Sequence, residues 1–287
     1  MSANRGIAAL SEDFLADATR LSAEPGFSLA VARYCQRFAG DAPAAWPLYK
    51  VFDQLQRYVL SYMLIHNYYA WRQGTGPAPT LTALQKVVAS SPRQTAGFVA
   101  AMKTGGFVVA ETNPADSRER WLRPGAEMVA EIGRSAQLFV RALDEVEGRD
   151  PPRWCALDDR ERLGELVGRS AAFVLANGTL LHAFPRVLHF TTRDCGYLLL
   201  SAVMGAHYAR VLPGAPPAIP LSLRSLAQRF QVSRAHVGNV LDEAGREGWF
   251  SVAPGGMLTS LSEGLRLEFE TWACWQMIHF GRLTNVE

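Results

Sequence analysis

Cysteine is scarce in this chain, and what there is lies scattered. Cys35, Cys155, Cys195 and Cys274 stand singly among 287 residues, with no CxxC pair. That spacing excludes a zinc cage built from paired thiolates and offers no disulfide framework, so reduced thiols are expected. Cys195 lies two residues from Arg193, but no nearby second cysteine is present to resolve an oxidised thiol. An excess of one charge is missing too. The 29 basic and 27 acidic residues leave a net charge of +2, which permits an anionic partner without arguing for one. Long apolar runs are also absent. The longest, GYLLLSAVMGAHYA, is too short and too closely flanked by Arg193, Asp194 and Arg210 to span a bilayer. The opening segment, MSANRGIAALSEDFLADATR, has no apolar core of signal-peptide length. The expectation is a cytoplasmic protein without a membrane partner.

Signatures of catalysis are lacking as well. The histidines at 66, 182, 189, 207, 236 and 279 show no HExxH or other metal-ligand spacing. GTGPAP lacks the Gly-Lys-Ser/Thr of a phosphate loop and runs into proline. No nucleophile elbow or paired-carboxylate motif stands out. No enzyme activity, cofactor or metal is expected.

What is present is an internal repeat. Ser91 aligns with Ser233, and the register then holds without a gap: Phe98 meets Val240, Met102 meets Ala244, Gly106 meets Gly248 and Phe107 meets Trp249. Upstream, Leu81, Leu84 and Val88 fall on Leu223, Leu226 and Phe230. A Gly/Pro-rich loop precedes each copy, RQGTGPAPT and LPGAPPAIP, and an apolar aromatic segment precedes each loop. Between the copies, EGRDPPRW (147–154) carries two prolines that end a helix. The boundary is placed there, giving modules 1–149 and 150–287.

In the second copy Leu223, Leu226, Ala227 and Phe230 recur at helical spacing. Ser233 then suits an N-cap, with Val232 and Val237 at the positions of a hydrophobic staple. Val237, Val240, Leu241 and Ala244 form an inner stripe that leaves Arg234, His236 and Asn239 outside. In the first copy Ser91 caps, Pro92 takes the first helical position, and Arg93 and Gln94 face out. Each pair of short helices reads as a helix-turn-helix. Downstream, GGFVVAETNPADSRERWLRPG reads as strand, turn and strand, and GWFSVAPGGMLTSLSEG as a shorter hairpin turned at Pro254-Gly255-Gly256. Further amphipathic helices begin near Ala126 and Glu263.

With these residues in view, each half resembles a MarR-type winged-helix transcriptional regulator. Asp116 and Arg118 match the family's acidic-x-arginine element in the wing, and Leu258-Thr259 its usual Leu-Thr after the wing. The first half departs from this with Leu122-Arg123-Pro124, and the second wing has no arginine. The resemblance covers most of 45–147 and 186–282. It implies a mainly α fold with small β-hairpin wings, as tandem winged-helix modules related by a pseudo-twofold. Because the family dimerises through its terminal helices, it further implies a monomeric pseudodimer.

A helix that enters the major groove needs donors for bases and phosphates. The candidates are Ser91, Arg93, Gln94 and Lys103 in the first copy, with Arg118 and Arg120 on its wing. In the second copy they are Ser233, Arg234, His236 and Asn239. The expected partner is double-stranded DNA. Asp242, Glu243 and Glu247 would repel phosphates, and winged helices also serve as protein-interaction modules that do not bind DNA, so that alternative stays open. Aromatics crowd the stretch before the first copy, among them Trp46, Tyr49, Tyr58, Tyr62, Tyr69 and Trp71. By the resemblance, Tyr58, Tyr62, Tyr69 and Trp71 are candidates for a small aromatic or lipophilic effector pocket. The other reading of the same residues is an aromatic core or seam.

Overall fold

The structure is a computed structural model that describes residues 10–40, 51–52 and 54–285. It is mainly helical, with two small antiparallel hairpins. The first half contains α1 (Glu12–Ser22), α2 (Phe27–Gly40), α3 (Leu55–Arg72), α4 (Leu81–Val87), α5 (Pro92–Thr104), β1 (Val108–Asn113), β2 (Asp116–Pro124) and α6 (Ala126–Glu147). A short 3-10 helix, Arg153–Asp158, leads into α7 (Arg160–Asn177) and, after a second 3-10 turn, into α8 (Pro185–Thr191). Then follow α9 (Gly196–Val211), α10 (Leu223–Phe230), α11 (Arg234–Arg246), β3 (Phe250–Val252), β4 (Leu258–Leu261) and α12 (Glu263–Thr284). Among the described residues no helix is long and apolar enough to cross a membrane.

The repeat in the sequence becomes a repeat in local structure. Thr80 and Ser222 cap α4 and α10, and Ser91 and Ser233 cap α5 and α11, each hydroxyl accepting from a backbone N–H of the first turn. Gly106 and Gly248 follow α5 and α11 at φ +77° and +69°, a left-handed turn that a side chain would strain. The inner faces of the capped helices are buried through Thr95, Val99 and Met102 in one and Val237, Val240 and Ala244 in the other. The first hairpin pairs Val108 with Pro124 through to Asn113 with Asp116. The second pairs only Phe250–Val252 with Leu258–Leu261. The turns fall where NPAD and PGG place them.

The two halves are joined by exchange. α2 belongs to the first half but packs along α9 of the second, and α7 belongs to the second but packs along α3 of the first. At the first crossing the Tyr34 and Tyr197 hydroxyls are 3.0 Å apart, and the Phe38 ring lies 5.2 Å from that of Tyr197. At the second, the Tyr62 hydroxyl donates to Ser170, and Gly164 lies so close beneath Tyr69 that a methyl would overlap its phenol. Between the crossings α6 packs on α12, with Phe139 stacked 6.4 Å from Phe280 and Leu143 over Gly281. One continuous apolar core runs through both halves. Burial of this kind dominates the stability of such a core.

Candidate nucleic-acid interface

The start of α5 is a reciprocal cap. Ser91 Oγ accepts from the Gln94 N–H at 3.3 Å, and Gln94 Oε1 accepts from the Ser91 N–H at 3.2 Å. Both orphan donors are thereby satisfied, the arrangement of a capping box. Ser91 and Gln94 are therefore committed to the backbone at these atoms, while Arg93 between them is exposed. Lys103 in the last turn of α5 and Lys86 in the last turn of α4 are exposed as well. Gln85 Nε2 donates to the Pro92 carbonyl at 3.0 Å and ties the two helices together.

The start of α11 differs in its attachments. Ser233 Oγ accepts from the His236 N–H at 3.0 Å, and Arg234 and Asn239 are exposed. His236 is only half-exposed, because its Nε2 lies 2.8 Å from the Asp194 carbonyl oxygen. A carbonyl only accepts, so the ring hydrogen sits on Nε2 and is spent on the turn before α9. On the same helix Glu243 pairs with Arg193 at 2.7 Å and with His189 at 3.5 Å. Hydrogen bonding to Arg193 holds the Glu243 carboxyl below its ordinary pKa. One of the acidic groups that would repel a phosphate is thus already paired, while Asp242 and Glu247 remain exposed.

The hairpins carry unequal charge. Arg118 is exposed just after the first turn, where its N–H donates to Asp116 Oδ1 at 2.9 Å. Arg120 is also exposed, and its guanidinium donates to the Thr112 hydroxyl across the hairpin. The second hairpin ends in Pro254, Gly255 and Gly256 and leaves Met257 66% exposed.

The four aromatics expected at an effector pocket pack between helices. Tyr58 donates to the Ile132 carbonyl at 3.1 Å, Tyr62 to Ser170, Tyr69 covers Gly164, and Trp71 lies 4.7 Å from Trp121. Burial pushes the Tyr58 and Tyr62 hydroxyls well up from their ordinary pKa, as their polar tips are spent inside the protein. Trp46 and Tyr49 lie outside the described residues.

Sequence reasoning missed the residues that anchor α11, namely His189, Arg193 and Asp194. It also passed over Arg224, exposed in the first turn of α10. Arg224 carried a local signal, because it stands two residues after the Ser222 cap, as Arg93 stands two after Ser91. The anchors carried none. Comparison with protein-family profiles, curated proteins and solved structures returns no match.

Proposed function

We propose that the chain is a cytoplasmic DNA-binding transcriptional regulator built from two non-identical MarR-like winged helices. Its recognition helices are α5 and α11, and its wings are the two hairpins. The observation that carries this reading is the recurrence of a serine-capped helix and a glycine-led hairpin at one spacing, each helix with an exposed arginine in its first turn. The exchange of α2 and α7 supports it further, because it joins the halves as two subunits of a dimer would be joined. Arg93 and Arg234 are the base-reading candidates, since arginine pairs bidentately with guanine in the major groove. Lys103, Arg118 and Arg120 suit phosphates or a narrow minor groove. Ser91, Ser233 and Gln94 act mainly by shaping the helix starts, and His236 by positioning α11.

A protein-interaction module is the second reading, favoured by the exposed Met257 and by Asp242 and Glu247 on α11. Selection of bound duplexes from a random DNA pool separates the two. Enrichment of a defined site supports the regulator, and failure to enrich any sequence supports the interaction module. Tyr58, Tyr62, Tyr69 and Trp71 are taken up by helix packing, so this regulator has no effector pocket among them.

A further inference from the structure

Three guanidinium groups converge on one carboxylate at the crossing of α2 and α6. The helices run antiparallel there, with Phe38 of α2 beside Arg134 of α6 and Arg33 beside Glu145. Each contributes a pair of residues four apart, which places both members on one face. Arg37 Nη1 lies 2.7 Å and Arg141 Nε 3.4 Å from Glu145 Oε1, while Arg33 Nη1 lies 3.3 Å from Oε2. Arg141 is also stacked 4.3 Å from the Trp154 ring centre, which limits its freedom to swing away. Arg37 and Glu145 are largely buried, with side chains 19% and 21% exposed, and Arg33 is 42% exposed.

Two features of this cluster are unbalanced. Among the described residues three positive charges meet one negative charge, which leaves two charges in excess within a few ångströms. Its donors also outnumber its acceptors. Arg37 Nη1 and Arg141 Nε are shielded from solvent and, although near Glu145, are not aligned to donate a hydrogen bond to it. Buried donors without an aligned acceptor are costly, and like charges held together repel. Other arginines of this region are better matched: Arg153 meets both Asp144 and Glu147 at 2.6 Å.

We propose that this cluster is an anion site for a phosphate group carrying two charges, with Arg33 as the most exposed arm, Arg141 held in place by Trp154, and Glu145 as a built-in competitor. Guanidinium forks suit phosphate oxygens, and a dianion cancels the excess charge. The site stands apart from the proposed DNA surface, because Arg141 is 15 residues along α6 from the end at the first wing, about 22 Å at helical rise. It does not depend on the DNA reading.

The test is calorimetric titration of the full chain with inorganic phosphate at constant ionic strength, with acetate as the comparison anion. Saturable phosphate binding is expected, weakened about tenfold or more by Arg33→Ala and further in the Arg33→Ala/Arg141→Ala pair, as loss of charged hydrogen bonds implies. Arg33 is exposed enough that its truncation leaves the core intact, which unchanged circular dichroism would verify. Glu145→Gln should do the opposite and tighten phosphate binding, a gain that a purely structural ion pair would not produce. Absence of saturable binding, equal binding of acetate, or equal affinity in the double variant would each overturn the assignment.

Discussion

The imidazole of His236 donates from Nε2 to the main-chain oxygen of Asp194, 2.8 Å away and 42 residues earlier in the chain. This bond fastens the second capped helix to the turn that opens α9. Arg193 and Glu243 reinforce it about two helical turns further along α11. His236→Ala should therefore lower stability by about 1 kcal/mol, the net worth of one such bond. Thermal denaturation reads the loss. If His236 acted by touching a base instead, the variant would keep its melting temperature and change only sequence preference.

Arg93 and Arg234 should each contribute to DNA affinity by base contact. Replacing either by alanine is expected to weaken specific binding by about 1–3 kcal/mol. Fluorescence anisotropy on the selected site measures it. Unchanged affinity in both variants would move the reading to the protein-interaction module.

Local chemistry was legible in the sequence and long-range geometry was not. Ser91, Ser233 and the NPAD and PGG turns act on neighbours within three or four residues, so their structures can be read directly. The exchange of α2 and α7 rests on pairs such as Tyr34 with Tyr197, 163 positions apart, which no local pattern encodes. His236 looks free in the sequence because its acceptor is a backbone carbonyl, a group that any residue type supplies. Tyr58, Tyr62 and Tyr69 have the same composition whether they line a cavity or fill a seam. What decides between these is Gly164 and Ser170 on the facing helix.

The crossing at Tyr69 has no spare room. Gly164→Ala should drive a methyl into the phenol and destabilise the chain by about 1–3 kcal/mol, the usual cost of overpacking. Because α7 comes from one half and α3 from the other, the loss should appear in one cooperative unfolding transition of the whole chain. Two separate transitions, with only one affected, would show that the halves fold independently. On the proposed reading, the same exchange takes the place of a dimer interface. Sedimentation in dilute solution should accordingly give a monomer.

His279 makes stability depend on pH. Tyr62 donates to Ser170, whose own hydrogen then points to His279 Nε2 at 2.6 Å, so the ring is neutral and accepting at that nitrogen. Burial pushes its pKa from the ordinary 6.5 down to about 4. The unfolded chain therefore binds a proton that the folded chain refuses between those values. Stability from this group is full above about pH 6.5 and is lost as pH falls toward about 4, a change of roughly 3 kcal/mol at most. Urea unfolding at pH 7 and pH 4.5 should show a smaller difference in His279→Gln than in the parent chain. An identical difference would place the acid sensitivity elsewhere.

The two recognition surfaces should leave their mark on the shape of the DNA site. A homodimer offers two identical helices and favours a palindrome with half-sites about one helical turn apart. Here the two surfaces differ in chemistry. On α5, Arg93 stands free beside a serine and glutamine locked in a capping box, and the following hairpin presents Arg118 and Arg120. On α11, Arg234 is free, but His236 is tied to Asp194, Asp242 is exposed, and the short hairpin offers Met257 in place of arginine. The first surface can combine a guanine contact with minor-groove arginines, whereas the second has Arg234 at its helix start, an acid on the same helix and no arginine on its hairpin. Selected sites should therefore be asymmetric, with the better-defined half bound by the N-terminal unit and the other held mainly through phosphates. Raising salt should weaken both halves, since phosphate contacts carry that dependence. Arg93→Ala should erase sequence information from the stronger half alone. A strict palindrome with equal information in both halves would refute the asymmetry, because two surfaces that differ this much cannot read one sequence equally well.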